Sequence, residues 1–116
     1  MKTILFAPAT FNLAETTRMI EIAKVLRQEY HCVFCGFSKT YLELIKEENF
    51  DVTLMQPTLT IQQEKAIIQF DQGKSLKNPF TSEIVAERVE NELGLLKKLS
   101  PRVIVTGSNV TMFLSA

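Results

Sequence analysis

The chain has 116 residues, 46% of them apolar and 22% charged, which fits one globular domain with its own core and not a disordered segment. Thirteen basic residues balance thirteen acidic ones and no basic block stands out, so no nucleic-acid or anionic-membrane partner is expected. The opening MKTILFAPAT has one Lys and an apolar run cut by Pro8, too short for a signal core or a membrane span, and is read as the first strand of a cytoplasmic protein.

TILFA is a continuous apolar run ended by Pro8, the pattern of a strand buried on both faces. From Leu13 to about Tyr30 the period becomes helical, with Met19, Ile22, Ala23, Leu26 and Tyr30 forming an apolar stripe. CVFCGF reads as a second buried strand closed by Gly36. Ser38 is the expected cap of a second helix through about Glu48, burying Tyr41, Leu42 and Ile45. FDVTLM is a third strand ended by Pro57, and Thr60 and Gln63 have capping-box spacing at the start of a third helix, IQQEKAIIQF.

DQGKSLKNPF, residues 71–80, is the most polar and turn-rich stretch and the expected exposed loop. A long helix from about Thr81 to Leu99 follows, with Val85, Val89, Leu93 and Leu96 on one face, and Pro101 stops it. RVIVTG is a fourth strand, and Ser108 or Asn109 opens a final helix that runs barely two turns to Ala116. So short an uncapped helix is marginal, and residues 1–116 are therefore read as part of a longer domain. Strands alternating with helices predict an α/β fold, a Rossmann-like doubly wound parallel sheet of order 3-2-1-4 with helices on both faces.

Several motifs fail on inspection. The first strand-loop-helix, APATFNLAET, has no glycine to let a backbone approach a pyrophosphate, so no dinucleotide cofactor is expected there. GKS at Gly73–Ser75 echoes a phosphate loop, but Ile68 stands where the upstream glycine is needed. Cys32 and Cys35 form a C-x-x-C within a strand, so they point to opposite faces, and with only His31 nearby no metal site is expected. Asn109-Val110-Thr111 is a formal glycosylation sequon without a secretory signal.

In a 3-2-1-4 order the strand order reverses between strands one and four, and ligands of open parallel sheets bind beyond the carboxyl ends there. That selects two loops, Ala9 to Glu15 and Gly107 to Thr111. Helical spacing puts Glu15 at the start of the sheet-facing side of its helix, where a carboxylate needs a partner. Two roles stay open. With Asn12 as N-cap, Glu15 at the third helical position can reach back to the Asn12 amide and favour the helix dipole. Alternatively, it is a general base facing a substrate pocket.

The segment ILFAPATFNLAETTRMIEIAKVLRQEYHCVFCGFSKTYLELIKEENFDVTLMQP resembles the N-terminal half of glycosyltransferases with the GT-B fold, particularly the UDP-glucuronosyl/glucosyltransferase-like branch. Ala-Lys-x-Leu leads into strand two, where Tyr30 replaces the usual Gly and His31 keeps the usual His. LSPRVIVTGSNVTMFLSA resembles the family's Pro-x-x-Val-Val segment and the helix after it. The resemblance implies an acceptor-binding N-terminal domain at residues 1–116, facing a C-terminal domain or subunit that binds the nucleotide-sugar donor. Many members carry a base, often His, one residue after a Gly in the first loop. The matching pair here is Ala14-Glu15, which makes Glu15 the candidate base with a changed residue type. The family's orienting Asp after strand four is matched by Gly107, and His31 matches a structural position. Thr10, Phe11, Asn12, Ser108 and Asn109 are the expected acceptor-binding residues, for a small-molecule acceptor. Two other readings stand beside this one. One is a non-catalytic Rossmann-like subunit that pairs with a donor-binding partner. The other is a nucleotidyltransferase, echoed faintly by FAPATFN but lacking the His-x-x-His-type motif expected after it.

Overall fold

A computed structural model describes residues 1–76 and 78–116, the side chains of Val110 and Phe113 excepted. The elements follow in the order β1 (Thr3–Ala7), α1 (Leu13–Leu26), β2 (His31–Gly36), α2 (Leu42–Glu47), β3 (Asp51–Leu54), α3 (Ile61–Asp71), α4 (Ser82–Leu99), β4 (Val103–Thr106) and α5 (Val110–Ser115), two helices joining β3 to β4. The four strands form one parallel sheet in the order β3-β2-β1-β4, the expected doubly wound arrangement. Among the described residues no helix is long and apolar enough to cross a membrane.

Period-two alternation along β1 and β2 divides the core into two layers. Ile4, Phe6, Cys32 and Phe34 face α1 and α2, with Met19, Ile20, Ala23 and Ile45 packed on them. Leu5, Ala7, Val33 and Cys35 face the other way, toward Leu95, Leu96 and Leu99 of α4. Cys32 and Cys35 therefore sit on opposite faces, both buried as free thiols. The parallel register brings Phe6 beside Phe34, and their rings stack with centroids 4.9 Å apart. Phe34 continues to Phe50 at 5.2 Å, and the Arg27 guanidinium covers the Phe50 ring at 3.9 Å.

Several expectations are corrected. The first helix ends at Leu26, not near Tyr30, because Glu29 and Tyr30 both donate backbone N–H groups to the Leu26 carbonyl in a closing turn. Tyr30 still packs against the same layer. Ile20, not Ile22, joins the buried face of α1, and Ile22 is 42% exposed. Ser38 does not cap α2, which begins only at Leu42. Its hydroxyl oxygen accepts from the Thr40 amide and forms a turn instead.

The largest difference is in α4. Its buried positions are Arg88 and Glu92, whereas Leu93 is 45% exposed. A charged pair one turn apart reads as a solvent face, yet here it lies against β2 and α5. Thr60 and Gln63, by contrast, form the full reciprocal capping box at the start of α3. Gly73, with φ +72°, follows the end of that helix in the left-handed conformation that favours glycine, which accounts for the isolated GKS.

Candidate functional site

A cavity of about 470 Å³ opens beyond the carboxyl ends of the strands. The segment from Pro8 to Ala14 forms one wall, and Ser108 and Asn109 after β4 meet it. All five expected acceptor-binding residues, Thr10, Phe11, Asn12, Ser108 and Asn109, line this space. Its other walls were not foreseen: Phe37 and Ser38 after β2, Leu59, Ile67 and Ile68 around α3, and Phe80 and Arg88 at and within the start of the α4 segment. Asp71, Gln72 and Phe80 bring both ends of the polar 71–80 stretch to the cavity, while Lys77 within it lies outside the described residues.

The first loop is clipped to the end of β2. Thr10 Oγ1 donates to the Ser38 carbonyl at 2.8 Å and accepts from the Ser38 amide at 3.0 Å. Gly36 permits this approach, because a Cβ there would overlap the Thr10 side chain. Thr10 thus shapes the wall with its hydroxyl already engaged. Glu64, on α3 and nearly fully buried, accepts from the Ser38 and Thr40 hydroxyls and fixes the β2–α2 turn against α3. Nothing in the local pattern of IQQEKAI signals that contact, since its partners lie 24 and 26 residues away.

Asn12 caps α1 as expected, its Oδ1 accepting from the Glu15 amide at 3.1 Å. The reciprocal half of the expected box does not form. The Asn12 amide donates instead to the Ala9 carbonyl at 2.8 Å, and the Glu15 carboxylate turns to two other donors. Ala9 N–H donates to Oε2 at 3.2 Å, and Ser108 N–H donates to Oε1 at 2.7 Å. One carboxylate therefore ties the β1–α1 loop to the β4–α5 loop. Gly107 is packed so closely that a Cβ on it would overlap Oε1. Positions 15 and 107, where the resemblance expects a base and its orienting carboxylate, are thus in contact. Glu15 lies just behind the cavity wall that Asn12, Leu13 and Ala14 provide.

Between α4 and the β4–α5 segment runs a buried polar network. Arg88 is 4% exposed, and its Nη2 donates to Asn109 Oδ1 at 3.0 Å. Thr111 Oγ1 donates to the same oxygen at 3.1 Å. One turn along α4, Glu92 accepts from Ser115 Oγ at 3.1 Å. The Arg88 guanidinium lies 3.8 Å from the Phe37 ring centroid and 5.2 Å from that of Phe80, a cation–π setting. Burial lowers the Arg88 pKa to about 10, against the opposing pull of Glu92 and Cys35, and leaves it charged at neutral pH. Compared with known proteins, the chain matches no family model and no curated protein.

The site can enclose a small molecule of drug-like volume between apolar walls and a few polar groups. Among the described residues, no cluster of His, Cys, Asp and Glu is arranged to hold a metal ion. His31 is distant from this cavity, exposed at the other end of β2 and 3.8 Å from Asp51.

Proposed function

We propose that this chain is the acceptor-binding, N-terminal domain of a nucleotide-sugar-dependent glycosyltransferase, with the donor bound by a second domain or subunit. The observation that carries the reading is the contact between Glu15 and Gly107 beside a cavity at the strand-order reversal. In many members of the resembled family those two positions carry a base and the Asp that orients it, and in this reading one carboxylate takes the space the pair would share. Each Glu15 oxygen accepts one backbone N–H and retains a further lone pair, and in this reading an acceptor hydroxyl reaches one of them past the wall of Asn12, Leu13 and Ala14. Thr10, Phe11, Asn12, Ser108 and Asn109 form the acceptor walls in this reading.

The test uses the natural protein with whatever domain or subunit supplies the donor site, a panel of UDP-sugars and a panel of hydroxyl acceptors. Ile68→Trp, which fills the cavity from a partly exposed wall position, should abolish transfer without lowering thermal stability. Absence of transfer from every donor, or transfer indifferent to Ile68→Trp, would sink the reading.

A non-catalytic binding subunit is the second reading, favoured by the engagement of both Glu15 oxygens with backbone donors. It predicts ligand binding that is lost in Ile68→Trp, with no transfer under any donor.

A further inference from the structure

We propose that the ligand of this cavity carries a carboxylate on an apolar or aromatic body, and that Arg88 receives the carboxylate. This deepens the acceptor reading and rests on it for the cavity's role, whereas the charge of the ligand is argued from Arg88 and Asn109 alone.

Both side chains line the cavity and both are more than nine-tenths buried, with 4% and 2% exposure. Both have donors left over. Among the described residues Arg88 makes one hydrogen bond, to Asn109 Oδ1, and its Nε is buried without a partner. Asn109 uses its oxygen twice, for Arg88 and Thr111, while its Nδ2 is buried without a partner. A guanidinium and a carboxamide nitrogen are donors only, so the group that completes them is an acceptor. Unmet donors of this kind are costly in a buried site, and a carboxylate satisfies a guanidinium best because two oxygens match its fork.

Glu92 does not already do this. It supports the Arg88 charge through space, but the two form no direct ion pair, and Glu92 Oε2 is itself unpartnered. The first turn of α1 adds to the field, since Leu13 and Ala14 line the same cavity at the positive end of a fourteen-residue helix.

The walls decide between a carboxylate and a phosphate. Arg88 is the single basic side chain among the described lining residues, and Asp71 stands at the rim. A cavity lined by one guanidinium and one carboxylate suits a monoanion better than a phosphate dianion. Phe11, Phe37, Leu59, Ile67 and Phe80 supply an apolar chamber for the remainder of the molecule.

The test is a titration of the full chain with indole-3-acetate and with indole-3-acetamide, which differ only in the charged group. Calorimetry gives the two affinities, and ¹⁵N NMR follows the Arg88 Nε–H resonance. The carboxylate is expected to bind tighter than the amide by about tenfold or more, the range of a charge-assisted hydrogen bond. In Arg88→Gln that preference should fall to near unity, with the amide affinity little changed. The Nε–H signal of the unsubstituted protein should shift on saturation with the carboxylate, which keeps the test alive if Arg88→Gln fails to fold. Equal affinities, a preference that survives Arg88→Gln, or an unmoved Nε–H resonance would each overturn the proposal while leaving the cavity as a binding site. Binding of neither probe would overturn it as well. A carboxylate bound selectively but never glycosylated would uphold the anion site and remove sugar transfer alone.

Discussion

Glu15 joins two loops that are remote in sequence, and the chemistry of its two oxygens determines what a substitution does. Both bonds are received from backbone N–H groups, so both oxygens must be acceptors. Glu15→Gln keeps one acceptor and turns an NH₂ toward the other donor. Leaving that partly buried N–H without a partner costs about 1–3 kcal/mol. For a domain of this size the melting temperature should then fall by about 4–8 °C per kcal/mol. Differential scanning fluorimetry would check this, and an unchanged melting temperature would mean the two loops do not depend on the clamp. The loss of stability also means that lost turnover in this variant is not by itself proof of a catalytic base. The two loops that Glu15 joins were legible in the sequence, because strand order dictates where an open parallel sheet binds ligands. The partners of Glu15 were not, because the Asn12 amide was taken by a local turn to Ala9 and the replacement donor came from position 108.

At the level of elements, local rules held where their partners were local. The Thr60–Gln63 box needs only four consecutive residues, and it formed as the spacing predicts. Thr60→Ala should lower stability by about 1 kcal/mol, read as a reduced denaturant midpoint with an unchanged slope. A larger loss would show that α3 depends on its cap more than on its packing at Ile67. Face assignment was legible only in part. Along α1 both Ile20 and Ile22 are apolar, so periodicity alone allowed two stripes, and contact with Ile4 and Phe34 selected Ile20. Along α4 the pattern failed outright. Its buried charges find their partners at Asn109, just before α5, and at Ser115 within it, and no helical period reports a partner on another element.

Across the whole molecule, α4 lays its charged pair against the underside of the sheet, where it acts on Cys35. Burial first, and the Glu92 carboxylate second, push the Cys35 thiol up from 9.0 to about 12, while Arg88 pulls the other way. The sign follows from which state can ionise. Above pH 9 the unfolded thiol loses its proton and the folded one keeps it, so this contribution to stability is complete below pH 9 and is lost as pH rises toward 12. Arg88 has the opposite sign, because its pKa falls from 12.5 to about 10 on folding, so stability rises with pH inside that window. The Cys35 effect is therefore cleanest between pH 9 and 10. Urea unfolding at the two ends of that interval should show a fall in stability that is smaller in Cys35→Ala. An identical fall in both proteins would show that Cys35 ionises freely in the native state.

The bond from Ser108 to Glu15 spans 93 residues of chain. Closing so long a loop is an entropic step that cannot be completed until β4 has docked beside β1. During synthesis, the first three strands and their helices can assemble while the cavity still lacks the wall bearing Ser108 and Asn109. The wall that Ser108 and Asn109 give the cavity is therefore complete only once β4 has joined β1.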